Sequence, residues 1–141
     1  DNSLRFKGSY NEGSVNLFCG IATDELYLIR AECYARESNT NAAMQDLNAL
    51  LAKRIKPFVP LVAGSADEAL TFILAERRKE LPFRELRWSD LKRLNKEPAR
   101  ATTLTRNLNG QLYTLAPNDL RYTLLIPDEV IRITTLQQNP R

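Results

Sequence analysis

The chain has 141 residues, room for one compact domain and little more. Apolar residues make up 43% of it, enough for a real core, yet no apolar run approaches the roughly 18 residues that a membrane-spanning helix needs. There is no histidine, which removes the commonest general base and the commonest metal ligand.

Net charge is +3. Basic side chains crowd one stretch: Arg77, Arg78, Lys79, Arg84, Arg87, Lys92, Arg93, Lys96, Arg100 and Arg106, opposed by Glu80, Glu85, Asp90 and Glu97. Such a stretch fits nucleic acid or an anionic surface. It also fits a solvated helix face with internal ion pairs, and the apolar residues interleaved at helical spacing favour that second reading. The two cysteines, Cys19 and Cys33, lack the close spacing of a zinc site. They are expected either to pair in an oxidising compartment or to lie buried as thiols. The start, Asp1-Asn2-Ser3, carries no methionine, signal peptide or lipidation motif, and the expectation is a piece of a longer protein.

Residues 1–22, with Gly8, Asn11, Gly13, Asn16 and Gly20, read as an irregular lead-in with a short extended piece near Val15–Phe18. Thr23 is placed to cap a first helix, with Asp24 and Glu25 in its positive first turn. Leu26, Tyr27, Arg30, Ala31 and Tyr34 recur at helical spacing. Ser38-Asn39-Thr40 breaks the pattern. A second helix follows, with Ala43, Leu47 and Leu50 on one face and Gln45, Asp46 and Lys53 on the other, and Pro57 and Pro60 end it.

Together, residues 23–56 fit a tetratricopeptide-type helical hairpin. That repeat wants aromatics and small residues at set intervals, here Tyr27, Ala31, Tyr34, Ala43, Leu47 and Leu50. The physical reason is close packing: alanines let two helices approach while aromatics fill the flanks. An ordinary helical hairpin with an alanine seam is the plainer reading. One repeat cannot bury both of its faces, and no second copy is present.

Signature helices are expected over 65–95. Ser65 and Glu68 form a capping box. Ala69, Leu70, Ile73, Leu74 and Leu81 make an apolar stripe that Arg77 interrupts, and Pro82 ends or kinks the helix. A fourth helix covers Glu85–Asn95 with Trp88, Leu91 and Leu94 inward. Arg77 on an apolar stripe is costly unless paired. Glu80, Glu85 and Asp90 are the nearby acids, and Arg87 and Arg93 are positioned to join such a network. Trp88, the sole tryptophan, reads either as a buried prop beside Arg87 or as an exposed platform for a sugar ring.

Residues 96–141 change character. Leu104, Arg106 and Leu108 alternate with polar residues up to Asn109-Gly110, and Leu112, Tyr113 and Leu115 follow. This is the strongest short-range hairpin cue. Pro117-Asn118-Asp119 is a turn, Tyr122–Ile126 is extended, Pro127 opens a short helix through Val130 and Ile131, and the tail is polar and irregular.

These motifs, taken together and in order, resemble the SusD/RagB family. Glu25–Glu32 resembles its E-x-Y-L-I-R-A-E helix and Asp46–Leu50 the helix after it. Glu76-Arg77-Arg78-Lys79-Glu80-Leu81, Phe83 and Arg87–Arg93 resemble its E-R-R-x-E-L-x-F-E-G-x-R-W-x-D-L-x-R signature. Ile126-Pro127, Glu129 and Gln138-Asn139-Pro140 resemble its P-I-P-x-E and Q-N-P ending. The sequence departs at Arg84-Glu85, where the family shows Glu-Gly, and at Leu125, which replaces the first proline.

The resemblance implies a mainly α fold: tetratricopeptide-like helical hairpins, a small C-terminal β-hairpin and an irregular tail. The chain would be the C-terminal portion of a larger SusD-like protein, with Tyr27, Ala31, Tyr34, Ala43, Arg77, Glu80, Arg87, Trp88 and Asp90 as its structural signature. It implies a lipid-anchored protein of the outer-membrane surface. Such a protein binds glycans or other nutrients and partners a SusC-like TonB-dependent transporter, with no catalysis, cofactor or nucleic acid involved. Most ligand-binding groups would lie upstream of this segment, and the isolated chain would self-associate. The alternative is a stand-alone tetratricopeptide-like adaptor that binds a peptide or protein partner.

Overall fold

The computed structural model describes residue 18 and residues 20–141. The expected extended piece near Val15 and the partnership of Cys19 lie outside the described residues. The chain divides into two compact units, one up to Leu86 and one from Arg87 to Arg141.

The first unit is helical. It holds α1 (Thr23–Arg36), α2 (Thr40–Leu51) and α3 (Ala66–Glu80). Ala22, not Thr23, occupies the N-cap of α1, with no side-chain hydrogen bond there, so Thr23 is already helical. Ser38 in the left-handed conformation (φ 62°) turns the chain. Asn39 then caps α2, its Oδ1 accepting from the backbone N–H of Ala42 at 3.2 Å. Short polar amides tolerate and exploit such positions.

The second helix stops at Leu51, short of the prolines expected to end it. Asn48 supplies the reason the following coil stays attached. Its Oδ1 accepts from Leu61 N–H and its Nδ2 donates to Leu61 O, each at 2.9 Å. One amide thus satisfies both backbone groups of Leu61, as a ladder rung would. Ser65 caps α3 through Glu68 N–H at 3.1 Å. Glu68 reaches back to Gly64 N–H at 2.7 Å, one residue before the usual capping-box donor.

The core of this unit is an alanine seam. Ala31, Ala43 and Ala69, one from each helix, have no exposed surface, and Leu28, Leu47 and Ile73 are equally buried around them. Tyr27 and Tyr34 pack on the margin of the same cluster. With no side chain beyond Cβ at three positions, helix backbones approach closely and the leucines interlock around them. The buried stripe of α1 is Asp24, Leu28, Ala31, Glu32 and Ala35. Leu26, one of the residues recurring at helical spacing, is 53% exposed, and Cys33, expected to be paired or buried, is an exposed free thiol. Asp46 was placed on the solvent face of α2 but is buried, because Arg30 of α1 grips it.

The second unit opens with the rest of α4 (Leu86–Leu94) and a single 3-10 turn at Pro98–Arg100. Strands β1 (Leu104–Leu108) and β2 (Gln111–Leu115) pair antiparallel, with Leu104 opposite Leu115 and Leu108 opposite Gln111. Asn109 (φ 51°) and Gly110 (φ 83°) form the two-residue turn. Both central residues adopt positive φ, which fits the twist of the flanking strands. A second 3-10 turn, Leu120–Tyr122, includes the tyrosine expected to begin an extended run. The last helix, α5 (Asp128–Ile133), has Pro127 at its N-cap, one place earlier than expected.

The tail is irregular but anchored. Gln138 accepts from Ile126 N–H and donates to Ile126 O, both at 2.8 Å, and Asn139 donates to Leu124 O at 2.7 Å. The Gln-Asn pair therefore does for residues 124–126 what Asn48 does for Leu61.

Candidate functional site

The most concentrated chemistry of the first unit is a cluster of charged side chains around the start of α1. Asp24 and Glu25 supply carboxylates from its first turn, where the helix dipole also favours them. Arg77 comes from the inner face of α3, and Arg84 from the turn after it. Arg84 Nη1 lies 3.7 Å from Asp24 Oδ2, and its Nη2 lies 3.7 Å from Glu25 Oε2. That same Nη2 donates to Gly20 O at 2.7 Å. Arg77 Nη2 sits 3.5 Å from Glu25 Oε1. Arg54 bridges Glu80, through Nε and Nη2 at 2.7 Å, to Asp24 at 3.9 Å. The Arg84 guanidinium also stacks over the Phe18 ring, 4.9 Å from its centroid.

Burial makes the arrangement matter. The side chains of Asp24, Arg84 and Arg77 retain 3%, 7% and 8% of their surface. Among the described residues, three guanidinium groups face three carboxylates. A buried ion is tolerable only when it is paired and hydrogen-bonded. The cluster ties the start of α1 to the end of α3 and to the segment after α2, which are remote in sequence. Arg30 adds an outer clasp on Asp46, with Nε and Nη2 both at 2.7 Å, while its guanidinium lies 5.6 Å over Tyr27. The bond to Asp46 raises the Arg30 pKa further above its ordinary value.

The expected network around Arg77 therefore has different members. Arg77 is buried on its apolar stripe, but Glu25 of α1 answers it, and Glu80 is held by Arg54. Asp90 pairs with Arg93 at 2.9 Å within the second unit. In sequence, Asp24 and Glu25 answer only to the helix dipole, and Arg84 stands as a departure from the family pattern. The available signal was their count: two adjacent acids in one turn, and an extra arginine next to a buried one, call for partners beyond their own helices.

At Glu85 the structure keeps the turn that a glycine would serve. Glu85 has φ 60° and Phe83 has φ 58°, a region that costs a residue with a Cβ about 1–2 kcal/mol. Glu85→Gly is expected to stabilise the chain by roughly 0.5–1 kcal/mol, after the greater freedom of glycine in the unfolded chain is subtracted. Urea unfolding would register it as a higher midpoint at unchanged slope.

In the second unit Trp88 is half-buried. Its indole N–H donates to Tyr122 O at 3.1 Å, and the two rings lie 4.8 Å apart, tilted by 33°. Leu91 and Leu94 are buried beside it on α4. Both polar and apolar parts of the indole are thus used inside the fold.

Arg121 links the hairpin to the following turn. It donates to Thr114 O at 3.0 Å and holds Asp119 with Nε at 2.9 Å and Nη2 at 2.8 Å. These hydrogen bonds lower the Asp119 pKa to about 2, and they raise that of Arg121. A depressed carboxylate pKa means that its contribution to stability is complete above the ordinary value near 3.8 and is lost as pH falls through about 2. Carboxyl chemical shifts should place the Asp119 midpoint near that lower value, and Arg121→Ala should return it toward 3.8.

Among the described residues no group of three His, Cys, Asp or Glu side chains is placed to hold a metal ion, and no helix is long and apolar enough to cross a membrane. An alanine-seamed helical hairpin, a third helix carrying an arginine-rich signature, and a small β-hairpin with an amide-clasped tail together define a SusD-type helical scaffold. The chain belongs to the SusD family, whose model matches residues 23–139. It is similar to the crystal structure of a SusD-like protein from Bacteroides fragilis, with a TM-score of 0.55 and 26% identity over 82% of this chain. The chain spans 24% of the length of that relative. No curated protein matches it significantly.

Proposed function

We propose that this chain is the C-terminal scaffold of a nutrient-binding protein of the outer-membrane surface. The whole protein is lipid-anchored, captures glycan or another nutrient, and delivers it to a SusC-like TonB-dependent transporter. It carries out no reaction of its own. The observation that supports this is the family match across residues 23–139. The charge cluster fits a structural task in this reading: its acids and arginines face one another, so what they supply is fixed helix geometry.

Large apolar side chains remain open on both units, with Ile21, Val59, Val62 and Ile133 each more than three quarters exposed. In the proposal, further parts of the whole protein cover such residues, and a second copy covers them when the chain is isolated.

The test is affinity purification of the whole, tagged protein from solubilised outer membranes, followed by glycan binding. A TonB-dependent transporter recovered in stoichiometric amount, together with saturable saccharide binding by the whole protein, supports the assignment. Recovery of a cytoplasmic peptide-binding complex with no transporter would favour the adaptor reading instead.

A further inference from the structure

A cleft in the second unit has the chemistry of a small ligand site. It encloses about 440 Å³ between α4 and the turn at 118–123, within the ~300–1,000 Å³ typical of small-molecule sites. Ser89, Lys92 and Arg93 of α4, with Lys96 in the turn just past its end, line one side. Asn118, Tyr122 and Thr123 line the other.

Charge decides what the cleft prefers. Arg93 is engaged by Asp90 at 2.9 Å, and Asp119, the acid on the cleft wall, is engaged by Arg121 at 2.8 Å. No carboxylate among the described residues pairs with Lys92 or Lys96, and both are exposed. The cleft therefore carries two ammonium groups without a counter-charge, next to hydroxyls from Ser89 and Thr123. Asn118 spends its Nδ2 on Asn95 O at 2.9 Å and keeps its carbonyl oxygen.

We infer that this cleft binds a small acidic saccharide, its carboxylate held by Lys92 and Lys96 and its hydroxyls by Ser89, Asn118 and Thr123. The inference rests on the nutrient-binding reading above and narrows it to a uronic acid. Lysine provides a compact, strongly hydrated point charge, so the expected affinity is modest and falls with added salt.

The test is a set of NMR titrations of the ¹⁵N-labelled 141-residue chain with digalacturonate, its methyl ester, galactose and sodium sulfate. Digalacturonate should shift the amide signals of Ser89, Asn118 and Thr123, and bind at least about tenfold more tightly than its uncharged ester. Lys92→Gln with Lys96→Gln should weaken it by about tenfold or more, while Lys53→Gln on the first unit should leave it unchanged. Equal binding of ester and acid, equal binding of sulfate, or shifts confined to other residues would overturn the acidic site. Neutral saccharides bound elsewhere on the chain would overturn it while leaving the nutrient-binding reading in place. No binding of any saccharide would also overturn the cleft, and transporter recovery with the whole protein would then decide the broader reading separately.

Discussion

Arg84→Ala is expected to destabilise the first unit by about 3–5 kcal/mol, the range for removing one partner of a buried ion pair. The loss exceeds that of an exposed salt bridge, which is roughly 0–1 kcal/mol, because Asp24 stays behind. Its side chain is 3% exposed, and Arg54 lies farther from it, at 3.9 Å. Gly20 O loses its donor as well. A double-mutant cycle with Asp24→Asn separates the pair from the rest. The second substitution should cost much less once Arg84 is gone, giving a coupling of about 1 kcal/mol or more between the two sites. Additive effects within about 0.3 kcal/mol would show that the guanidinium and the carboxylate act independently. Urea denaturation followed by far-ultraviolet circular dichroism is sufficient, because the unit is helical.

Leu47→Ala should cost about 2–5 kcal/mol. Leu47 has no exposed surface and sits in one cluster with Leu28, Ala31 and Ala43. The upper part of the range applies if the surrounding helices cannot close the space. Rigid neighbours argue for that: Asn39 and Ser65 cap α2 and α3, and Arg30 fixes Asp46 one residue away from Leu47. The expected signature is a lower urea midpoint at nearly constant slope, since the same surface is exposed on unfolding.

Much of the fold was legible because it rests on short-range rules. Alanine and leucine spacing located α1 to α3, and Asn109-Gly110 located the hairpin, since few other dipeptides accept two positive φ angles. The motif match placed the chain in its family. The failures have a common cause. Sequence spacing ranks Thr23 and Asp46 within their own helices, whereas their environment is set by what arrives from elsewhere. Asp46 is buried because Arg30 reaches across from α1, and Leu26 is exposed because the deepest stripe of α1 runs through Leu28 and Ala31.

The candidate sites were less legible than the fold for the same reason. Arg77 was recognisable as a buried charge that needed a partner, yet the choice of Glu25 over Glu80 depends on a contact spanning 52 residues. The cleft beside α4 was less legible still. Lys92 and Lys96 read as part of a solvated basic face, and only the turn at 118–123 gives them a second wall. The clasps made by Asn48, Gln138 and Asn139 show the opposite case: the residues stand within motifs, and the structure supplies the physical reason.

The first unit depends on close approach of three helices through small residues. Urea midpoints of Ala43→Leu and Ala49→Leu, on the buried and exposed sides of the same helix, test it directly. Ala43→Leu should lose about 1–3 kcal/mol or more by overpacking, and Ala49→Leu should stay within about 0.5 kcal/mol of the parent. Equal midpoints for the two variants would contradict the alanine seam and the helical scaffold built on it.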